Sequence, residues 1–323
     1  MKAFGKTVLP LLLLSQVLLV CTARADALGD AEALALLQRI AQAARELNYR
    51  GTFVYQHGNH AESSRITHFV DPSGEFEKLE TLDGPRREII RNSSEIITFY
   101  ADTGVVKRER RTARKVFPAL LPAQLSVLTE YYQLRKAGQD RIAGYDAQAL
   151  VLEPRDRFRY GHKLWAEMKT GLLLKARMLD GRGEVMEQFH FTEVSIDVPL
   201  TKDAVAPRFA IPAAPQREIA QTPTDTGWAV QNQPAGFKKI MEMHRQKQAG
   251  GGLVSHLVFS DGLAAVSVFI EPMPSAKIVP GLSHQGAVSI YTRPLSDKLI
   301  TVLGETPPVT VMQIANSVSP KAR

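Results

Sequence analysis

Cysteine is nearly missing from this 323-residue sequence, and the single example, Cys21, lies in its first segment. No disulfide framework and no cysteine nucleophile can be built from it, so a folded body has to be stable by packing alone. Catalytic signatures are missing as well: there is no Gly-x-Ser-x-Gly elbow, no P-loop, no Gly-x-Gly-x-x-Gly turn and no His-Glu-x-x-His. Carboxylates are plentiful, but no pair sits in an apolar context that would shift a pKa toward acid–base work. Histidines are scattered; His57 and His60 flank a Gly-Asn turn, and no acidic or histidine partners can be placed beside them for a metal. A binding protein is therefore the stronger expectation and an enzyme the weaker, with no cofactor or metal assigned.

Long apolar runs are also rare. Lys2 and Lys6 precede one from Val8 to Val20, and Ala23-Arg24-Ala25 follows as a small-x-small cleavage site before Asp26. The run is too short for a bilayer span and reads as a secretory signal peptide, residues 1–25, directing the chain to the periplasm. A lipoprotein acylated at Cys21 is disfavoured by the bulky Val20 before it. Cleavage after Ala25 removes Lys2, Lys6 and Arg24 and no acid, which lowers the formal charge from +7 to +4. Such a mildly basic chain outside the cytoplasm fits acidic polypeptide, anionic lipid or phosphorylated glycolipid, and not nucleic acid.

What remains reads as two domains, at roughly 150 residues each. Ala33, Leu36, Leu37, Ile40, Ala44 and Leu47 recur at helical spacing, with Gln38, Arg39, Gln42, Arg45 and Glu46 facing away. After Asn48 the period becomes two: Tyr49, Phe53 and Tyr55 alternate with Arg50, Thr52 and Gln56, and Gly51 marks a bulge. Turn residues at 71–74, 83–85, 102–104, 169–171 and 180–183 separate strands at 62–70, 75–82, 86–91, 96–101, 148–153, 159–168, 172–179 and 185–196. That is one antiparallel meander over residues 26–198. It is interrupted by the basic run 107–115 and by 117–132, a short helix or loop. A Pro- and Ala-rich linker spans 199–224. Residues 225–318 read as a small α+β unit with hairpins at 253–271 and 287–304 and a closing helix at 307–318 started by proline.

Candidate binding residues come from charge and aromaticity. "LDGPRREIIR" (82–91) places Arg86 and Arg87 after a tight turn as contacts for an anionic group, although cations on strand edges also serve to block aggregation. Phe53, Tyr55, Phe99, Tyr131 and Trp165 lie on or beside the sheet and would line an apolar groove if the sheet stayed open, against the commoner role of core packing.

The stretches LDGPRREII (82–90), GQDRIAGYDAQALVLEPRDRFRYGHKLWAEMKTGLLLKARMLDGRGEVMEQFHF (138–191), SDGLAAVSVFI (260–270) and TVLGETPP (301–308) resemble, in order, the RseB/MucB family of envelope-stress sigma factor regulators. The resemblance implies an α+β, mostly antiparallel protein. Its large N-terminal domain would be an unclosed barrel like LolA and LolB with helices on its concave side, followed by a smaller C-terminal domain. It implies binding of the periplasmic part of a transmembrane anti-sigma factor (RseA or MucA), shielding of that partner from site-1 proteolysis, release by lipopolysaccharide, and self-association as a dimer. No family role is implied for 107–115. A lipid or lipoprotein carrier of LolA type is the alternative, and the C-terminal domain distinguishes the two, since a simple carrier does not need it.

Overall fold

The computed structural model describes residues 31–110, 121, 125–209, 224–246, 252–274 and 279–321. The expected signal peptide, the second half of the basic run and much of the expected linker lie outside these residues. Helix α1 (31–46) opens the described chain. Its apolar stripe, Ala33, Leu36, Leu37, Ile40, Ala41 and Ala44, is buried, while Gln38, Arg39, Gln42, Arg45 and Glu46 stay exposed.

Eleven strands follow in one antiparallel sheet: β1 (Tyr49–His57), β2 (His60–Asp71), β3 (Gly74–Thr81), β4 (Arg87–Arg91), β5 (Glu95–Tyr100), β6 (Val105–Arg110), β7 (Tyr132–Ile142), β8 (Tyr145–Pro154), β9 (Gly161–Glu167), β10 (Leu173–Leu179) and β11 (Val185–Ile196). Their spatial order is 6-5-4-3-2-1-11-10-9-8-7. Neighbours are joined by hairpins except where β1 meets β11, and β6 and β7 end the sheet without pairing to each other. The barrel is therefore unclosed. Helix α1 packs with Phe53, Phe189, Leu150, Leu152 and Leu164 in the larger core, and α2 (Ser126–Tyr131) adds Leu128 to it.

The turns form as their residues dictate. Asp71 Oδ1 accepts from the Ser73 amide, Asp180 Oδ1 from the Arg182 and Glu184 amides, and Gly74 and Gly183 take the positive φ that follows. Two strands escape the periodicity. β6 carries Lys107 and Arg108, which read as a basic run, but each finds an acid, Glu109 and Glu95. β7 escapes because its alternation lasts only from Tyr132 to Arg135, with Tyr132 and Leu134 buried, before the register shift between Lys136 and Gln139 and the polar run Gln139-Asp140-Arg141 interrupt it.

The C-terminal unit has a six-stranded antiparallel sheet in the order 13-14-15-18-17-16, made of β13 (Lys238–Gln246), β14 (Leu253–Ser260), β15 (Ala265–Pro272), β16 (Gly281–Gln285), β17 (Val288–Leu295) and β18 (Lys298–Gly304). A ribbon of β12 (Trp228–Val230) and β19 (Val318–Pro320) adjoins it. Helix α3 (Pro308–Asn316) covers one face, burying Val311, Ile314 and Ala315 with Val266, Val268, Ile300 and Val302. The two expected hairpins and the proline-started helix are all present.

Between the domains, residues 201–209 run as a strap over the outer face of β3 to β5. Lys78 donates to the Ala206 carbonyl at 2.9 Å, the Arg208 amide donates to Glu88, Arg208 pairs with Glu80, and Phe209 packs on Phe99. Lys78 and Glu88 are themselves a buried pair at 3.3 Å.

Gly51 sits where β1 passes over β11, next to the register shift between Thr52 and Phe53. A Cβ there would lie 2.6 Å from the Glu193 carbonyl oxygen and 2.8 Å from the Phe191 ring. Backbone cannot yield as a side-chain tip can, so Gly51→Ala is expected to cost about 1–3 kcal/mol through overpacking, measured as a drop in Tm. An unchanged Tm would show that this crossing is loose.

Candidate functional site

Side-chain alternation turns the β1 to β5 and β8 to β11 strands into a two-faced wall. Phe53 lies opposite Ser64 and Phe191, Tyr55 opposite Glu62 and Phe189, and Ala176 opposite Leu164 and Phe189. These residues share the concave face, where all of them but Phe191 line a cavity of about 510 Å³. Leu79, Ile89, Leu121 and Leu152 extend its apolar wall, and Glu62, Arg87, Arg91, His162 and Glu187 supply its polar groups. The C-terminal domain contributes Leu263 and Glu305. The cavity thus belongs to both domains.

The structure divides the expected site residues. Phe53 and Tyr55 line the cavity, and so does Arg87. Arg86 does not: it precedes β4, its side chain is 73% exposed, and it pairs with Asp102 at 3.1 Å. Consecutive residues at a strand start point to opposite sides, which splits the arginine pair. Phe99 lies on the outer face, buried beneath Phe209 of the strap. Trp165 lies opposite Lys175 and Ala149, one residue out of phase with Leu164, and so faces away from the cavity. Tyr131 stands at the domain seam, against Arg159. Arg91, His162, Glu187, Leu263 and Glu305 were not expected.

The cavity's charges are mostly paired. Arg87 donates to Glu62 at 3.0 Å, with Nε buried and without a hydrogen-bond partner among the described residues. Arg91 and Glu77 form a buried pair across β3 and β4. The Tyr55 hydroxyl donates to Glu187 at 2.7 Å, and burial together with that carboxylate pushes the phenol well above its ordinary pKa, so it remains a donor. Burial alone lowers His162 to about 4, leaving a neutral imidazole in the wall at pH 7. An apolar hollow holding a few fixed donors is suited to an amphiphile or an extended peptide, and it has no nucleophile–base pair among the described residues.

One residue sets how the second domain covers this hollow. Arg159, whose side chain is fully buried, pairs with Asp156 at 3.2 Å in its own domain and with the equally buried Asp261 of the other at 3.4 Å. It also donates to the Ala235 carbonyl at 2.6 Å. Its guanidinium lies 4.6 Å from the Tyr131 ring centre and 5.3 Å from that of Phe237. Asp261 Oδ1 meanwhile accepts from the amides of Leu263 and Ala264, which ties the turn bearing Leu263 to the same contact. Thr310 of α3 adds a hydrogen bond to the Phe158 carbonyl at 2.6 Å.

With this geometry in place, the chain was compared with known proteins. Residues 32–209 match the MucB/RseB N-terminal domain and residues 222–319 the MucB/RseB C-terminal domain. The chain belongs to the MucB/RseB family. The sigma factor AlgU regulatory protein MucB of Pseudomonas aeruginosa is 30% identical over 90% of this chain and 92% of its own. The sigma-E factor regulatory protein RseB of Haemophilus influenzae is 28% identical over 87% and 89%. Among solved structures, MucB in complex with MucA(peri) superposes with a TM-score of 0.72 at 30% identity, covering 90% of this chain and all of that one. A crystal structure of MucB gives 0.63 at 29% identity, covering 91% and 99%. Both curated relatives are named as sigma factor regulatory proteins, and the related MucB has been solved bound to MucA(peri). The MucB/RseB N-terminal match runs to residue 209 and so takes in the strap.

Two measurements test the site. Removing one partner of a buried ion pair leaves an uncompensated charge, so Arg159→Met is expected to destabilise by about 3–5 kcal/mol, and Arg159→Met with Asp261→Leu to recover much of it. Small-angle scattering of the double variant is expected to show a wider separation of the domains; an unchanged profile would show that other seam contacts, such as Thr310 to the Phe158 carbonyl, hold them together. His162 provides a pH signature. Its folded pKa lies below the unfolded 6.5, so the unfolded chain takes up the proton first. Its contribution is fully present above pH 6.5, is lost as pH falls toward about 4, and amounts to about 3 kcal/mol at most. Denaturant unfolding of His162→Leu is expected to lose less stability over this window than the parent protein, and equal slopes would refute the assignment.

Proposed function

We propose that this protein, secreted by removal of residues 1–25, works in the periplasm by capturing the periplasmic segment of a transmembrane anti-sigma factor of the RseA/MucA kind. Capture shields that segment from site-1 proteolysis and keeps the envelope-stress sigma factor repressed. An amphiphile of lipopolysaccharide type, seated in the cavity, releases it. The observation that carries the reading is the two-domain cavity, whose apolar wall of Phe53, Leu79, Ile89, Leu152 and Leu164 borders Arg87. Acyl chains need the wall, and an acidic headgroup needs the guanidinium. The solved complex of the related MucB with MucA(peri) supports the partner class.

Release then follows from linkage. An amphiphile that prefers the partner-free form lowers the bound fraction by its differential affinity for the two forms, and by no more than that. The second domain favours regulation over carriage of lipid or lipoprotein, because Leu263 and Glu305 form part of the cavity itself. Self-association of the free form belongs to the same reading and is measured by sedimentation of the mature chain over a range of concentrations.

Pull-down of the mature protein with a candidate anti-sigma factor's periplasmic segment is expected to succeed, and to fail when lipopolysaccharide is added. No capture in either condition would overturn the reading, whereas capture unaffected by lipopolysaccharide would remove only the release step. Arg87→Ala is expected to weaken lipopolysaccharide capture about tenfold or more, less so at high salt, as befits a lost charge-assisted contact. Arg86→Ala, outside the cavity, is expected to leave capture unchanged.

A further inference from the structure

The outer face of β9 to β11 holds a charge arrangement that the cavity reading does not use. Lys163 Nζ lies 4.8 Å and Lys175 Nζ 4.9 Å from the centre of the Trp165 ring, with the Arg177 guanidinium carbon at 5.5 Å. His190 stands directly opposite Lys175 on the neighbouring strand. The two ammonium groups are therefore within about 10 Å of each other, no more than about one Debye length at 0.1 M salt, so some of their repulsion survives screening. None of the three cations has an ion pair among the described residues: Arg177 donates only to the Gln188 amide oxygen at 3.0 Å. Asp140 is the one acid felt by Lys175.

An indole can attract cations to its ring, and a single cation there would need no further account. Three are different, because each added cation brings repulsion from the others while sharing the same ring. The crowding registers at Lys175, whose pKa is lowered first by burial and then by Arg177 and Lys163, and at His190, lowered by burial and then by Lys175 and Arg177. Several other cations of this sheet are matched: Arg87 with Glu62, Arg91 with Glu77, Lys78 with Glu88. Here three cations share one nearly buried ring.

We infer that Lys163, Lys175 and Arg177, arrayed around Trp165, form a binding site for a phosphate group on the outer face of the sheet, separate from the cavity ligand. Two ammonium heads and a planar guanidinium match a tetrahedral oxyanion from several directions, with Arg177 able to supply a forked contact. Binding relieves the mutual repulsion that the free site carries. Register keeps the two sites apart: Trp165 and Lys175 alternate with Leu164 and Ala176, which line the cavity, and Arg177 alone also borders it. A phosphate bound outside therefore does not compete for the apolar wall inside.

Trp165 reports on the site directly, since the chain has two tryptophans and Trp228→Phe leaves it alone. In that background, pyrophosphate added at constant ionic strength is expected to change the emission saturably, and chloride is not. Vesicles of phosphatidylcholine with phosphatidylglycerol, compared with phosphatidylcholine alone, separate a lipid source of the phosphate from a free one: a response to the anionic vesicles only assigns the site to headgroups, and a response to pyrophosphate assigns it to soluble phosphate as well. Lys163→Gln with Lys175→Gln is expected to weaken the response at least tenfold, Lys163→Arg with Lys175→Arg to keep it, and Lys238→Gln in the other domain to leave it unchanged. No saturable change with either probe, or a response indifferent to the double glutamine variant while its Tm is preserved, would overturn the inference.

Discussion

Arg159 is charged, wholly buried and shared between two domains, and the arrangement around it follows from those three facts. A guanidinium withdrawn from water must be matched by carboxylates and carbonyls, and its matches come from both sides: Asp156 from one domain, Asp261 and the Ala235 carbonyl from the other. Separating the domains would strand that charge or draw water to it. Because Asp261 also holds the turn that carries Leu263, the same contact places an apolar side chain against the hollow of the large sheet. The shape of the cavity is thus decided at a distance from its floor. Tyr131 and Phe237 fill the remaining space around the guanidinium, and Gly236 approaches the Tyr131 ring so closely that a Cβ there would meet it at 2.6 Å.

Much of this was legible in the sequence because it is local. Helix α1, the alternation of β1, the hairpins at β14–β15 and β17–β18, and the turns closed by aspartate and glycine each depend on residues a few positions apart. What was not legible depends on pairing at long range. β7 escapes because a register shift and a polar run cut its alternation short after Leu134, and Phe99 reads as a groove residue because nothing in its neighbourhood reveals that Phe209 lies over it. The arginine pair shows the limit at single-residue scale. "Arg86-Arg87" reads as one patch, but a strand begins between them, so one faces solvent and Asp102 while the other borders the cavity.

The family resemblance carried more of the site than the candidate residues did. Asp261 and Leu263 lie within SDGLAAVSVFI, Glu305 within TVLGETPP, and Asp156, Arg159 and His162 within the long stretch 138–191. The segments that mark the family are those that meet at the seam and the cavity. Trp165, also in that stretch, reads as an apolar groove contact, yet it gathers cations on the opposite face. An aromatic residue on a strand says that something packs there, and only the register says on which side.

The pairing of β1 with β11 has a further consequence for the life of the chain before it is folded. Tyr49 meets Ile196, and every other junction in the large sheet is between strands adjacent in sequence. Loop-closure entropy makes such a remote contact slow to form, so β1 to β6 can assemble as a sheet with an open, apolar edge long before β11 is available to cover it. During that interval the edge of β1 is a template for any passing strand. A chain of this design is therefore open to strand pairing with a second copy for the time it takes its last long strand to return to its first.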